Sequence, residues 1–150
     1  RRTAPRHPAA GVTEVPEGVW RHHKGGPYQV LFTADILPAA PDDLRLHLFH
    51  ASCSTNGTHR GEGRELCVAV RLARPDVFHT VAYPAEGSWQ PPTWKGVVYV
   101  GLGVPPGPGL RVRLRDLAEF TGTVERDGEQ VPRFEYLARE WTPDLGTGTT

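Results

Sequence analysis

The sequence WRHHKGGPYQVL at residues 20–31 decides how the first part of this chain folds. Paired glycines accept the positive φ angles of tight turns, so Gly25-Gly26 predicts a hairpin turn. The β-branched and aromatic residues that follow predict a strand over residues 28–36. Four cationic or titratable side chains precede the turn, at residues 21–24. We therefore expect this segment to combine a turn with a candidate binding surface.

Turn-forming residues punctuate the rest of the chain. It has 17 glycines and 15 prolines among 150 residues, spread between short β-branched and aromatic runs. This pattern is typical of strands joined by turns, and it leaves little room for helices. We predict a mainly β fold with strands at residues 28–36, 44–49, 66–72, 77–83, 97–102, 110–114, 123–126 and 131–137.

Two segments alternate between apolar and polar residues, which is the period of a half-buried strand. In residues 44–48 we expect the leucines to face the core, with Arg45 and His47 facing solvent. Residues 110–115 alternate in the same way. Their solvent face is expected to hold Arg111, Arg113 and Arg115.

The C-terminal quarter carries two local signals. Residues 116–120 can form one helical turn, with Asp116 as its N-cap and Gly122 soon after its end. Asp127-Gly128 separates two strand-like runs, and both positions tolerate the positive φ of a two-residue hairpin turn. We expect a helical turn followed by a hairpin.

Length and charge limit the classes of function. A chain of 150 residues fits one domain, which buries roughly 70% of the surface that its unfolded form exposes. Lys plus Arg and Asp plus Glu are equal at 17 each, so the net charge is zero. A whole-molecule field therefore cannot gather nucleic acid or anionic membrane, and any anion site must be local.

The ends of the sequence have no hydrophobic periodicity. We expect flexible tails at residues 1–13 and 142–150, around a single β-rich domain at residues 14–141. The longest apolar runs, such as residues 97–100, are far shorter than the roughly 20 residues that cross a bilayer. With no segment resembling a signal peptide, we expect a soluble, cytoplasmic protein with no membrane partner.

Cys53 and Cys67 flank a polar, glycine-rich stretch. Such a pair could form a disulfide or remain as two thiols. Because reducing compartments keep cysteines reduced, a cytoplasmic location favours two free thiols.

Two motifs near the ends of the chain resemble a known family. They are HxKGGxYxVL at residues 22–31 and VxxDGxxVPRF at residues 124–134. With the Val-Val-Tyr segment at residues 97–99, they resemble the bacterial domain of unknown function 1653 over residues 16–38 and 96–138. Trp20 stands where the family usually has Tyr. The family also has a Val-Arg-Pro motif, in which Val112 and Arg113 match and Leu114 replaces the proline. The resemblance implies a small SH3-like β-barrel and no catalytic role.

Residues of about 41–95 lie outside the resemblance, where the family has only a short connection. This segment includes its own predicted strands and both cysteines. We expect it to form an inserted β-hairpin or loop subdomain. The predicted fold class is all-β with one short helical turn, as an SH3-like barrel carrying this insertion.

Basic and aromatic residues of the two motifs are the candidate ligand-binding residues. Side chains and bare glycine amides around Lys24 could hold a phosphate, although a simple solvated turn explains the same pattern. Arg133 could bind a ligand or pair with an acidic residue of its own hairpin, and the aromatic residues could stack on bases or fill the core. A turn or core role explains His22, Lys24, Arg113 and Arg133 least well. We predict a ligand site formed by Trp20, His22, Lys24, Tyr28, Arg113 and Arg133.

Metal, cofactor and nucleophile signals are weak. His47-x-x-His50-x-x-Cys53, followed by His59 and Cys67, contains the ligand types of a zinc site. Strand alternation nevertheless predicts opposite faces for His47 and His50 unless the strand ends between them. No serine or cysteine lies in an informative catalytic motif, and no dinucleotide or phosphate-loop fingerprint occurs. We predict no metal, no cofactor and no catalytic residue.

Three functions fit the sequence. The first is a non-enzymatic binding module for an anionic ligand, a nucleotide or nucleic acid, or for a partner protein. The second is a small enzyme acting on a nucleotide-like or phosphorylated substrate, with His22 or His23 as the acid-base group. It predicts a deep pocket joining those residues to Lys24 and an arginine. The third is an assembly role in which the Trp-bearing loop at residues 89–94 of the insertion contacts a protein.

Overall fold

A computed structural model describes residues 15–55, 64–74, 77–102, 112–140 and 142. Within these residues the chain forms ten strands and one short helix. The elements are β1 (Gly18–His22), β2 (Pro27–Ile36), β3 (Leu44–Cys53), β4 (Glu65–Arg74), β5 (Val77–Pro84), β6 (Lys95–Gly101), β7 (Val112–Asp116), α1 (Leu117–Phe120), β8 (Thr123–Arg126), β9 (Glu129–Pro132) and β10 (Phe134–Ala138).

Six strands close into a mixed β-barrel. The large sheet runs in the order β10-β1-β2-β5-β4-β3-β7-β6, and an additional β2–β6 pairing closes the ring. The β2–β5 and β3–β7 pairs are parallel, and the other barrel pairs are antiparallel. Strands β1 and β10 extend the sheet beyond the ring. The chain is therefore mainly β, as the turn pattern predicts.

The separate β8–β9 hairpin confirms the predicted Asp-Gly turn. Asp127 and Gly128 have φ angles of 54° and 83°, and Arg126 pairs with Glu129 across them. Positive φ at both central residues is the conformation of a two-residue hairpin turn.

The two larger buried clusters of the described residues lie on opposite faces of the barrel wall. The barrel interior is filled by small and branched residues drawn from all six strands, together with Trp89 from a loop. The second cluster covers the outer face of β6, where Val97 and Tyr99 alternate with the interior Val98. Helix α1 and β10 close over it through Leu117, Phe120 and Phe134.

The predicted helical turn is confirmed. The Asp116 carboxylate caps α1 by accepting the Ala118 amide at 3.0 Å. Its other oxygen accepts both the backbone amide and the hydroxyl of Thr93, each at 3.0 Å. Asp116 is fully buried, so this one side chain joins β7, α1 and the loop before β6.

The structure corrects the predicted orientation of residues 44–48. Leu46 and Leu48 are 58% and 36% exposed rather than buried. The β3–β4 register shifts between Leu44 and Leu46 and again between His47 and Phe49. Each extra residue of a bulge reverses which side chains face inward, so simple alternation fails here.

Residues 44–84, within the predicted insertion, provide three of the six barrel strands. The barrel does not close without them. The sequence also missed β1, and the strand predicted at residues 131–137 is divided between β9 and β10. The predicted tail at residues 1–13 lies outside the described residues, as does 143–150 of the second tail.

Both cysteines are free, as predicted. Cys53 lies in the barrel interior, whereas Cys67 packs against the outer cluster of Ala69, Val81 and Tyr83. The two thiols therefore lie on opposite faces of the wall. In the part of the chain that the structure describes, no helix has the length and apolar character to cross a membrane.

Candidate functional site

The β1–β2 turn and the start of β10 lie side by side. The amide of Gly25 donates to the His22 carbonyl at 2.7 Å, and Gly25 and Gly26 have φ angles of 90° and 96°. The His23 amide donates to the Arg133 carbonyl at 2.9 Å. Paired glycines therefore do form the predicted turn, and that turn is bonded directly to the second motif.

The backbone of Arg133 is held by hydrogen bonds, whereas one nitrogen of its side chain has no partner among the described residues. Its amide donates to the Gly122 carbonyl at 3.0 Å, so Arg133 is hydrogen-bonded on both sides. Its Nε is buried and has no hydrogen-bond partner among the described residues. Burial lowers the pKa of this guanidinium, and the neighbouring charge of Arg115 lowers it further. Arg133 is thus a half-buried charge in an unfavourable setting.

His22 is held in its neutral form. Burial and the charges of His23, Arg115, Arg133 and Lys24 lower its pKa to about 4. Its Nδ1 accepts the Lys24 amide at 3.2 Å, so the ring proton lies on Nε2.

His23 lies against His22, with ring centroids 4.4 Å apart. Burial lowers the pKa of His23, followed by the charges of Arg133, Lys24 and Arg126. Its Nδ1 is buried without a partner among the described residues. Two neighbouring histidines therefore both respond to the same excess of positive charge.

Arg115 is paired. It forms an ion pair with Glu119, and its Nε donates to the Tyr99 hydroxyl at 3.3 Å. Burial disfavours its charge, but Tyr99 and Glu119 outweigh that effect and raise the pKa of Arg115. Arg115 is only 8% exposed, so the prediction that it faces solvent is wrong.

An aromatic cluster underlies these charges. The Phe134 ring stacks on Phe120 at 4.1 Å and meets the rings of Tyr99 and Tyr28 edge-on at 5.4 and 5.9 Å. Trp20 packs edge-on against Phe120 at 5.2 Å. The Arg115 guanidinium lies 5.8 Å from the Phe134 centroid. We call this arrangement the basic face: His22, His23, Lys24 and Arg133 over the rings of Tyr28 and Phe134.

The structure brings together four of the six predicted site residues. His22, Lys24 and Arg133 act on one another electrostatically, and the ring of Tyr28 lies 6.1 Å from that of His22. Trp20 belongs to the aromatic cluster, and its Nε1 donates to the Pro16 carbonyl at 3.2 Å. Arg113 lies on β7 opposite Tyr99, and it is not among the charges that lower the pKa of His22 or Arg133.

Sequence reasoning did not place His23 or Arg115 in the predicted ligand site. His23 differs from His22 only by one position in the same motif, and no pattern separates them. For Arg115 a signal exists, because Glu119 follows it by four residues across the helical turn. Here this pair joins β7 to α1, and both side chains are largely buried rather than exposed to solvent.

A separate surface concavity of about 530 Å³ lies at the other end of β1. None of the six predicted residues lines it. The residues around it are Val15, Pro16, Glu17, Gly18, Gln29, Arg139 and Glu140.

The prediction that His47 and His50 face opposite ways is wrong. Their ring centroids are 4.9 Å apart, because the bulge between His47 and Phe49 adds a residue to β3. Cys67, not Cys53, completes a group whose ligand atoms all lie within 4.8 Å of one another.

Comparisons with known protein families, with curated proteins and with solved structures found no match. The resemblance to the bacterial domain of unknown function 1653 therefore stays a prediction.

Proposed function

We propose that this protein is a non-enzymatic binding module for a phosphate-bearing ligand, a nucleotide or single-stranded nucleic acid, held on the basic face. The ligand phosphate would lie against Arg133 and His23, and a base would lie against the rings of His22 and Tyr28.

The supporting observation is that the Arg133 guanidinium is half-buried beside Arg115 and that its Nε has no hydrogen-bond partner among the described residues. A buried polar atom without a hydrogen bond destabilises the folded protein, by about 1–3 kcal/mol and more for a charged group. The Arg133 Nε and the His23 Nδ1 are both in that condition within the described residues. An anion accepting from the partly exposed guanidinium of Arg133 would offset its repulsion from Arg115.

Local charge favours the same ligand. Lys24, Arg126 and Arg133 all act on His23, and Glu119, which pairs with Arg115, offsets part of the unfavourable setting of Arg133. The basic face is therefore cationic although the whole chain has no net charge. Arg guanidinium groups bind phosphate strongly because their donors match two of its oxygens.

Aromatic rings beside the cations favour a base-bearing ligand over inorganic phosphate. His22 and Tyr28 are partly exposed, and each meets the Phe134 ring edge-on. Stacking of a base on such a ring contributes about 1–3 kcal/mol in single-stranded nucleic-acid complexes.

Calorimetric titration with adenosine monophosphate and with a single-stranded oligonucleotide tests the proposal. Arg133→Gln is expected to weaken binding about tenfold or more, since it removes a charged hydrogen bond worth about 1.5–3 kcal/mol. It should also reduce the slope of log K against log salt by about one. Arg45→Gln is the matched control, because Arg45 is an exposed arginine of β3 outside the basic face.

Comparing the two ligands shows whether the protein binds a nucleic acid or a nucleotide. Tighter binding of the oligonucleotide with a steeper salt dependence indicates nucleic acid, whereas equal binding indicates a nucleotide. Equal affinity of wild type and Arg133→Gln, or binding of neither ligand, would refute it.

An enzymatic role for His22 has less support. A general base needs a free lone pair near the reacting proton, and the Nδ1 of His22 already accepts the Lys24 amide.

An assembly role through residues 89–94 also loses one of its two tryptophans, because Trp89 is 5% exposed and packs in the barrel interior. Trp94, at 38% exposed, stays available to a partner. The SH3-like assignment and the cytoplasmic location stay predictions.

A further inference from the structure

A second group of chemically active side chains lies on the outer wall formed by β3, β4 and β5. His50 on β3 is directly opposite Cys67 on β4, and Cys67 is directly opposite Tyr83 on β5. His47 is opposite Ala69, one outward position further along β4. These strands are not those that carry the basic face.

The bulge in β3 creates the group. His47 and His50 are three residues apart, which on a regular strand places them on opposite faces. Their partners Ala69 and Cys67 are only two residues apart, so β3 contains one extra residue between the histidines. That extra residue restores both rings to the outer face, and their centroids are 4.9 Å apart.

The donor set is that of a transition-metal site. Two imidazoles and one thiolate are the ligands that zinc uses, and their donor atoms all lie within 4.8 Å of one another. Donors bound to one tetrahedral zinc ion lie about 3–4 Å apart, as follows from metal–ligand bonds of about 2.0–2.3 Å. Small side-chain rotations of exposed residues therefore suffice, and both histidines are exposed.

Glu65 provides the outer support that such sites usually have. Its carboxylate pairs with the Nδ1 of His50. That contact leaves the Nε2 of His50 as its ligand atom. Metal-binding histidines commonly donate their other ring nitrogen to a carboxylate, which fixes the ring and strengthens the ligand.

We propose that His47, His50 and Cys67 bind a divalent transition-metal ion of the zinc class, with Glu65 positioning His50. Three protein ligands leave the fourth tetrahedral position for water. Binding deprotonates the Cys67 thiol and releases its proton to solvent. The site does not depend on the proposed function of the basic face.

Titration with Co²⁺ tests the site, because cobalt in a tetrahedral site with a thiolate ligand gives visible d–d bands and a sulfur-to-metal charge-transfer band. The full chain is expected to bind one equivalent, and Zn²⁺ should displace it. Cys67→Ser should abolish the charge-transfer band, and His47→Gln or His50→Gln should weaken Co²⁺ binding at least tenfold. Glu65→Gln should keep the band and lower the affinity by about tenfold to a hundredfold.

His79→Gln is the matched control, since His79 is an exposed histidine of β5 outside the group. It should leave the Co²⁺ spectrum and affinity unchanged. The unfolding midpoint of each metal-free variant shows whether it is folded. Absence of the charge-transfer band in the wild type would overturn the proposal, as would equal affinities in folded Cys67→Ser and wild type.

Discussion

At the scale of single residues, His22 shows how charge and burial act together. Neutral imidazole tolerates partial burial beside cations, whereas imidazolium does not. Burial and the charges of His23, Arg115, Arg133 and Lys24 lower the pKa of His22 from 6.5 to about 4. The His23 pKa falls for the same reasons. Protonation of either ring therefore opposes the folded state.

We expect the protein to lose stability as the pH falls from about 6.5 to about 4. In this window the unfolded chain binds a proton at His22 and the folded chain does not, so the free energy of unfolding rises with pH. Urea midpoints measured across the window should decrease toward acid, with a smaller decrease in His22→Gln. His79→Gln should retain the full decrease, and an unchanged slope in His22→Gln would contradict the account.

The two thiols should differ in reactivity. Burial raises the pKa of the Cys53 thiol in the barrel interior, whereas Cys67 is half-buried on the outer wall. We expect a disulfide reagent to modify one thiol quickly in the folded, metal-free protein and the second only on unfolding. Cys67→Ser should lack the fast phase. Fast modification that persists in this variant would show that Cys53 is accessible.

At the scale of elements, the pairing of β1 with β10 depends on Gly18. Its φ angle is 139°, and a Cβ added there would lie 2.7 Å from the carbonyl oxygen of Ala138. The register also shifts between Val19 and Trp20 at this point. Only glycine permits both the conformation and the close approach of β10.

Gly18→Ala is therefore expected to lower the free energy of unfolding by about 1–3 kcal/mol or more, through backbone strain plus the clash. Chemical denaturation measures it. Gly25→Ala is the control, because φ at Gly25 is 90° but no atom lies within 4 Å of the added Cβ. If Gly18→Ala lowers the free energy of unfolding by no more than Gly25→Ala does, the clash with the Ala138 carbonyl does not contribute.

Strands with long apolar runs were predictable, and β1 was not. Turn residues bound most strands in the sequence, so local patterns located β2, β4 and β5. The five residues of β1 carry a weak pattern, and β10 follows more than 100 positions later. Bulges were also unpredictable, because a register shift depends on the partner strand. Local sequence therefore predicted the turns. Only the structure shows that His47 and His50, both on β3, lie on the same face with their rings close together.

The candidate site divides in the same way. The two motifs predicted that His22, Lys24 and Arg133 belong to one site. Each motif contains a turn, and these three residues flank the turns without being needed to form them. They did not predict that Arg115 is buried against Glu119, since alternation alone assigns it to solvent. The helical turn that follows β7 folds back over the sheet and covers it.

At the scale of the whole molecule, closure of the barrel brings distant motifs into one surface. The β2–β6 pairing closes the ring, and β1 and β10 extend it so that the turn at residues 22–26 meets Arg133. The overall charge is zero, yet burial and the cations on this surface together lower the pKa of both histidines. The electrostatic field at this surface therefore depends on where charges lie rather than on their sum.

The most direct test is a map of amide chemical shifts over the whole chain during titration with adenosine monophosphate. The account predicts saturable shifts at residues 22–26 and 133–134, with His22 titrating at a higher pH in the complex because the phosphate offsets the surrounding cations. Residues of the outer wall at 47–50 and 67 should not move. Shifts that leave residues 22–26 and 133–134 unchanged at saturating ligand would contradict it.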